Sequence, residues 1–485
     1  MTTNFIGREP ELEALKEQIN STNSAFIALF GRRRIGKTET ILYFCEKEKI
    51  KYIEFTGRFE QPRNIQIKAF LAEIARFNPK FKGRKAEDWF DTFEILKECL
   101  NDFPHNEALV IFIDELPWMD TQRSGLLAEI GDFWNKCASR RSGVSLVVCG
   151  SAASYMLKKV VKNKGPLHNR LTRKLPMEQF DLYDTKRFLE AKGFTHYNNK
   201  AFANIYMALG GVAKYLIELN KHHTPQQAIQ DICFSKHALL KGEYEELYQS
   251  LFRHPEHHYK IMTTLTSRWS GLTKSELAEK LKVSNGHITK TLEELIGSGF
   301  VAEYTKLGHV NRENIYVATD FFSYFHNRWM TGKNKSENWN QSSNSQEYAV
   351  WSGYTFEKLC HSHVEQIKAS IGISGIPTSS HYWSYRAKNK QEKGAQIDLL
   401  LSHEGRSRNI EIIECKYYDG IFTITESYKK ELINKKVVFN EQTGHKHSTR
   451  FIIVTTEGVT QNEHFNELNP IVVTLNDLFL PTTSR

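Results

Sequence analysis

Residues 24–44 read SAFIALFGRRRIGKTETILYF, and their order decides the architecture of the front of the chain. Ala25 to Phe30 is an unbroken apolar run, the pattern of a strand buried on both faces in a parallel sheet. Gly31, Gly36, Lys37 and Thr38 follow in the spacing GxxxxGK[ST], and a helical pattern begins at Glu39. Strand, glycine loop and helix in that order predict a phosphate cradle: glycines let backbone N–H groups close round phosphate oxygens at a helix N-terminus. Lys37 would reach the β- and γ-phosphates of a nucleotide, and the Thr38 hydroxyl would bind magnesium.

Two further apolar runs supply the rest of such a site. Leu109 to Ile113 reads as a strand ending on Asp114 and Glu115, where acids meet ligands in open α/β sheets. Asp114 is the candidate to hold magnesium through its water, and Glu115 the candidate base for an attacking water. Val144 to Val148 is another strand, followed by Ser151. Ser151 reads either as a sensor of the γ-phosphate or as part of a plain strand-to-helix turn.

With Phe5, Gly7, Arg8, Glu9, Glu11 and Leu15 ahead of them and CGSAASYM behind, these residues resemble the AAA+ and STAND class of ATPases, and more narrowly the archaeal-type ATPase family. The resemblance covers roughly residues 4–220. It implies that the Phe5–Arg8 segment lies against adenine. It also implies an arginine that reaches a γ-phosphate, often from a neighbouring subunit, with Arg170 the best match and Arg173 the second. One departure stands out: the family commonly has GG-P-YL in its helical lid, and this chain reads GGVAKYL, with Ala213 at the proline position.

At 485 residues, 40% hydrophobic and 25% charged, the chain is too long for one core and ordinary in composition. No apolar run approaches the roughly 18–20 residues that span a bilayer, and residues 1–18 lack a signal-peptide core. Seven scattered cysteines without a CxxC pair fit neither a disulfide framework nor a zinc site, so a reducing cytoplasm is expected. A net charge of +9 is compatible with a nucleic-acid partner. Leu157 to Lys174 holds seven Lys or Arg and no acid, which reads as a solvated loop or a phosphate-contacting one.

Residues 181–250 are helical in pattern and fit a lid. Across 251–330, Thr273-x-x-Glu276 opens a helix as a capping box, and a second helix runs from about Gly286 to Ile296. Segments Phe300–Tyr304 and Ile315–Ala318 follow as strands, and the outline is a winged helix. His287, Thr289, Lys290 and Arg312 are its candidate DNA contacts, although Glu293 and Glu294 would repel phosphates, and internal packing is the alternative role. Residues 331–347, rich in Asn, Ser and Lys, read as a linker or extended loop.

In the last segment, 348–485, GAQIDLLLSHEGRSRNIEIIECKYY sets three charges into two apolar strands. Paired as a hairpin, those strands bring Asp398 opposite Glu414, with Lys416 on the face of Glu414. Two carboxylates suit Mg2+ or Mn2+, and the lysine would orient or activate an attacking water or stabilise the charge that builds on a phosphate. The alternative is a salt bridge on an edge strand. The pattern resembles the PD-(D/E)XK nuclease family of restriction-endonuclease-like fold, which often adds an acid from the preceding helix, here Glu357. The expected fold class is therefore multidomain α/β: a P-loop parallel-sheet ATPase core (1–180), the lid, the winged-helix module, the linker, and a C-terminal α/β restriction-endonuclease-like domain. The expected activity is ATP- and Mg2+-dependent control of a DNA endonuclease in a homo-oligomer away from membranes. The alternative is a STAND-type regulator that binds DNA or protein without cutting.

Overall fold

A computed structural model describes residues 5–19, 24–105, 107–305, 307, 314–331, 338–387, 389, 392–405 and 408–481. Arg312, named above as a wing contact, lies outside the described residues. The chain forms two compact units, Met1–Gln179 with Glu293–Gly299, and Phe180–Leu292 with Phe300–Arg485.

The first unit is built on a parallel sheet of order β2-β3-β4-β1-β5. Its strands are β1 (Ala25–Gly31), β2 (Lys51–Thr56), β3 (Leu109–Asp114), β4 (Val144–Gly150) and β5 (Arg173–Met177). Every residue of β3 and β4 is buried, which is why both read as continuous apolar runs. Helices pack on both faces. Phe70, Phe93, Leu96 and Phe133 fill one side, and Leu15, Ile41 and Phe44 fill the other. The outcome is a doubly wound core whose strand ends carry the phosphate loop and the Asp114–Glu115 pair.

The second unit begins with helices Leu182–Ala191 and Asn199–Leu209. Gly211 accepts from the Phe180 N–H at 2.9 Å, and a Cβ there would meet the Phe180 carbonyl oxygen at 1.8 Å, so glycine is required. Ala213 is the first residue of helix Ala213–Ile217, a position that suits proline or alanine alike. A small antiparallel sheet of order β6-β8-β7 follows, from β6 (Leu272–Thr273), β7 (Val301–Tyr304) and β8 (Ile315–Ala318). Helices Lys274–Leu281 and Asn285–Gly297 lie between β6 and β7, the first opened by the Thr273–Glu276 capping box. Ile288, Leu292 and Leu295 are buried, whereas Lys290 is exposed.

Of the expected linker 331–347, residues 332–337 lie outside the described residues, and residues 338–347 pack rather than extend. Trp339 is 1% exposed and stacks on Phe234, with Phe325 and Trp329 at its edges. One indole anchors an otherwise polar stretch, whose last two residues already belong to helix Gln346–Ser362.

A mixed sheet of order β13-β12-β11-β10-β9 completes the unit. Its strands are β9 (Thr378–Tyr385), β10 (Ala395–His403), β11 (Asn409–Lys416), β12 (Ser448–Thr455) and β13 (Ile471–Thr474). β9, β10 and β11 run antiparallel, while β12 and β13 run parallel to β11. Helix Glu426–Gln442 crosses between β11 and β12, and its Leu432 and Phe439 pack on Ile397, Leu400 and Ile412. Within this unit the small sheet meets the large one: Tyr304 lies edge-on to Tyr382, and His381 Nδ1 is 2.9 Å from the Thr305 carbonyl.

Candidate functional site

In the first unit the phosphate loop joins β1 to helix Lys37–Glu48. Gly36 adopts φ 93°, the left-handed region that glycine enters freely. Gly31 is fixed for a different reason, since a Cβ there would lie 2.1 Å from the Met177 carbonyl oxygen. Lys37 is buried, and its ammonium donates to the carbonyls of Gly31 at 3.1 Å and Arg32 at 2.7 Å. A cation held only by carbonyls, beside a helix start whose first N–H groups lack intrahelical partners, fits an anion.

Across from it, Thr38 donates its hydroxyl to Asp114 Oδ2 at 2.6 Å. The two side chains expected from the sequence to hold magnesium, one of them through water, are therefore in contact. Glu115 caps β3 at φ 46°, a strained value for a side-chain-bearing residue. Ser151 explains its orientation: the hydroxyl lies 2.8 Å from both Glu115 carboxylate oxygens, and the Ser151 N–H donates at 3.2 Å.

Arg8, 6% exposed, donates to the Glu178 carbonyl at 2.7 Å and the Ile35 carbonyl at 2.8 Å, tying the first residues to the phosphate loop. Phe5 lies flat on Tyr43, centroids 4.1 Å apart. Tyr43 was not foreseen. Arg170 is apart from this cluster, its Nε donating to Asn135 Oδ1 at 2.8 Å.

In the second unit, the pairing Leu399–Ile413 sets Asp398 one step further along, opposite Glu414. The β9–β10 register shifts between Ile397 and Leu400, so the irregularity falls at Asp398, as bulges beside functional side chains do. Asp398 Oδ2 accepts from the Cys415 N–H at 2.9 Å. Glu414 is fully buried; its Oε2 accepts from Lys435 at 2.7 Å and from the Tyr428 hydroxyl at 3.2 Å. Its Oε1 is buried without a partner. Lys416 holds its ammonium 4.8 Å from the centre of the Tyr428 ring.

Burial, then the Asp398 charge, pushes the Glu357 carboxyl up to about 8. The same two causes, in that order, raise Glu414 to about 7 against the pull of Lys435 and Lys416. Glu357 and Glu414 are thus both short of positive charge, and Oε1 of Glu414 is a buried acceptor without a donor. The acidic set is open rather than closed. Among the described residues the one trio with ligand atoms all within 4.8 Å of one another is Glu463, His464 and Glu467, a surface cluster in which Glu467 also pairs with Lys429. Mg2+ keeps several waters and takes one or two carboxylates, so Asp398 and Glu414 with Glu357 nearby fit it.

Lys435 and Tyr428 went unread in the sequence. Their helix, ESYKKELINKKVVFNEQ, carries lysines on several faces, and nothing in the spacing separates buried Lys435 from the half-buried Lys429 and Lys436 or the exposed Lys430. Only the packing against β11 singles them out.

No helix among the described residues is long and apolar enough to cross a membrane. An uncharacterised protein of Methanocaldococcus jannaschii is 24% identical over 426 residues, 86% of this chain and 88% of that protein. An uncharacterised ATP-binding protein of Pyrococcus abyssi is 24% identical over 264 residues, 51% of this chain and 78% of its own length. Among solved structures, a Walker-type ATPase of Pyrococcus abyssi aligns at TM-score 0.49 and 17% identity, over 67% of this chain and 97% of that one. Residues 5–219 match the family described as an ATPase domain predominantly from Archaea, and the chain carries an ATPase domain of that kind.

Proposed function

We propose that this protein binds and hydrolyses ATP in its first unit, and that the nucleotide state governs a metal-dependent DNA endonuclease formed by residues 348–485. The observation that carries the second half is the placing of Asp398, Glu414 and Lys416 on two paired strands, with Glu357 on the preceding helix close enough to feel their charges. The helix Gln346–Ser362 precedes the three antiparallel strands, which is where the resemblance places the additional acid, Glu357.

In the first unit, the loop from Gly31 to Gly36 would cradle the triphosphate. Lys37 would leave its two carbonyls for the phosphates, and Thr38 with Asp114 would hold Mg2+. Glu115, oriented by Ser151, would draw the proton from an attacking water. The Phe5–Arg8 segment would flank the base, and Arg170 of a neighbouring copy would meet the γ-phosphate. The ATP-binding relative from Pyrococcus abyssi supports this half.

In the second unit, Asp398 and Glu414, with Glu357, would hold Mg2+ or Mn2+, an ion that polarises a phosphoryl oxygen when bound. Lys416 would stabilise the negative charge that grows on the scissile phosphate. The net charge of +9 and the basic Leu157–Lys174 stretch favour DNA as the polyanion.

One observation favours the second reading, a STAND-type regulator that binds without cutting. Lys435 already neutralises Glu414, as it would in a site given over to structure. Supercoiled plasmid with Mg2+ or Mn2+, with and without ATP, separates the two. Wild type nicks it in at least one nucleotide condition and Lys416→Ala does not. Equal behaviour of the two proteins in every condition overturns the endonuclease reading.

A further inference from the structure

Glu414 has two carboxylate oxygens in different surroundings. Oε2 has two donors, both from the helix Glu426–Gln442: the Lys435 ammonium at 2.7 Å and the Tyr428 hydroxyl at 3.2 Å. Oε1, equally buried, has none. Tyr428 and Lys435 are seven residues apart, two turns, and so share the helix face that covers β11. The ring of Tyr428 does a second job, since its face carries the Lys416 ammonium at 4.8 Å. A carboxylate pinned by one oxygen cannot rotate, and the other oxygen then points in one direction only.

We propose that Lys435 and Tyr428 are positioning residues, which hold Glu414 by Oε2 so that Oε1 is the atom presented to a divalent cation. The proposal rests on reading Asp398 and Glu414 as cation ligands and adds how one of them is aimed. Lys435 also sets a positive group against the fully buried carboxylate, 2.7 Å from its Oε2. Groups that orient a ligating carboxylate typically set about 10–100-fold in metal affinity when removed.

Mn2+ titration of the full chain, without nucleotide or DNA, tests this by calorimetry and by the loss of free-ion paramagnetic resonance signal. Wild type, Glu414→Gln, Lys435→Met, Lys435→Arg and Tyr428→Phe are compared, each with its thermal unfolding midpoint. The expected result is a binding event that Glu414→Gln removes and Lys435→Met weakens about 10–100-fold. Tyr428→Phe, which keeps the ring and the fold, weakens it less, and Lys435→Arg restores most of it. Wild-type affinity in both Lys435→Met and Tyr428→Phe, with Glu414→Gln still unable to bind, overturns the positioning role while leaving the cation site standing. A loss in Lys435→Met that arginine does not repair, with Tyr428→Phe unaffected, overturns it equally. Binding indifferent to Glu414→Gln, or none in wild type, overturns the cation site and the inference together.

Discussion

The Ser151 hydroxyl lies 2.8 Å from both carboxylate oxygens of Glu115, so one small side chain at the end of β4 governs the aim of the acid at the end of β3. Ser151→Ala is expected to bind ATP with near wild-type affinity and to release phosphate roughly 10-fold more slowly, because Glu115 is freed rather than removed. Glu115→Gln should lose more, on the order of 100-fold or above, as expected for a general base. Nucleotide binding and phosphate release measured on the same samples separate the two effects. Equal turnover in all three proteins removes Glu115 from the mechanism.

Lys37 rests on the Gly31 and Arg32 carbonyls, a place it must leave to meet a phosphate. Lys37→Met is expected to abolish the ATP-induced rise in unfolding temperature while leaving the ligand-free midpoint within a few degrees. In wild type, ATP at 100 times its Kd should add about 2.7 kcal/mol to the stability of the state that binds it. A rise of similar size in Lys37→Met would show that the loop holds the nucleotide without its lysine.

The raised pKa values of Glu357 and Glu414 predict that their own contribution to the stability of the cation-free protein falls as pH rises. In the unfolded chain these groups lose their protons near pH 4.3, while in the folded protein they hold them up to about 8 and about 7. Between those limits the folded state binds more protons, so stability decreases through the window. Glu357→Gln should therefore unfold at a higher temperature than wild type at pH 8.5, with the gap closing near pH 4.5. Mn2+ should narrow the gap at pH 8.5 by supplying the missing charge to wild type. A gap constant across pH would mean that Glu357 is not held protonated.

Trp339 sits among Phe234, Phe325, Trp329 and Tyr348, with its backbone N–H donating to Gln230 Oε1 at 2.7 Å. Trp339→Ala should cost about 3–5 kcal/mol in chemical denaturation, the loss for a buried aromatic. A cost below about 1 kcal/mol would return the segment to the status of a linker.

The contrast between these regions explains what the sequence could and could not disclose. The first unit was legible because a parallel strand buried on both faces must be apolar throughout, and because a glycine loop before a helix has few other uses. Asp398 and Glu414 were legible as a pair because antiparallel register puts a fixed sum of residue numbers side by side. Trp339 was hidden because one indole among Asn, Ser and Lys does not change the composition of its window. Lys435 was hidden because burial of a lysine depends on which helix face meets the sheet, and a helix charged on several sides does not reveal its face. The contact of Phe5 with Tyr43 likewise joins residues that no motif spacing relates.

The account stands on Asp398 and Glu414 sharing a divalent ion, and anomalous scattering from Mn2+-soaked crystals of the full chain reads that most directly. The predicted result is a peak within bonding distance of Asp398 and of Glu414 Oε1, with Lys435 still on Oε2. Manganese found only at Glu463, His464 and Glu467, with nothing beside Glu414, would contradict it.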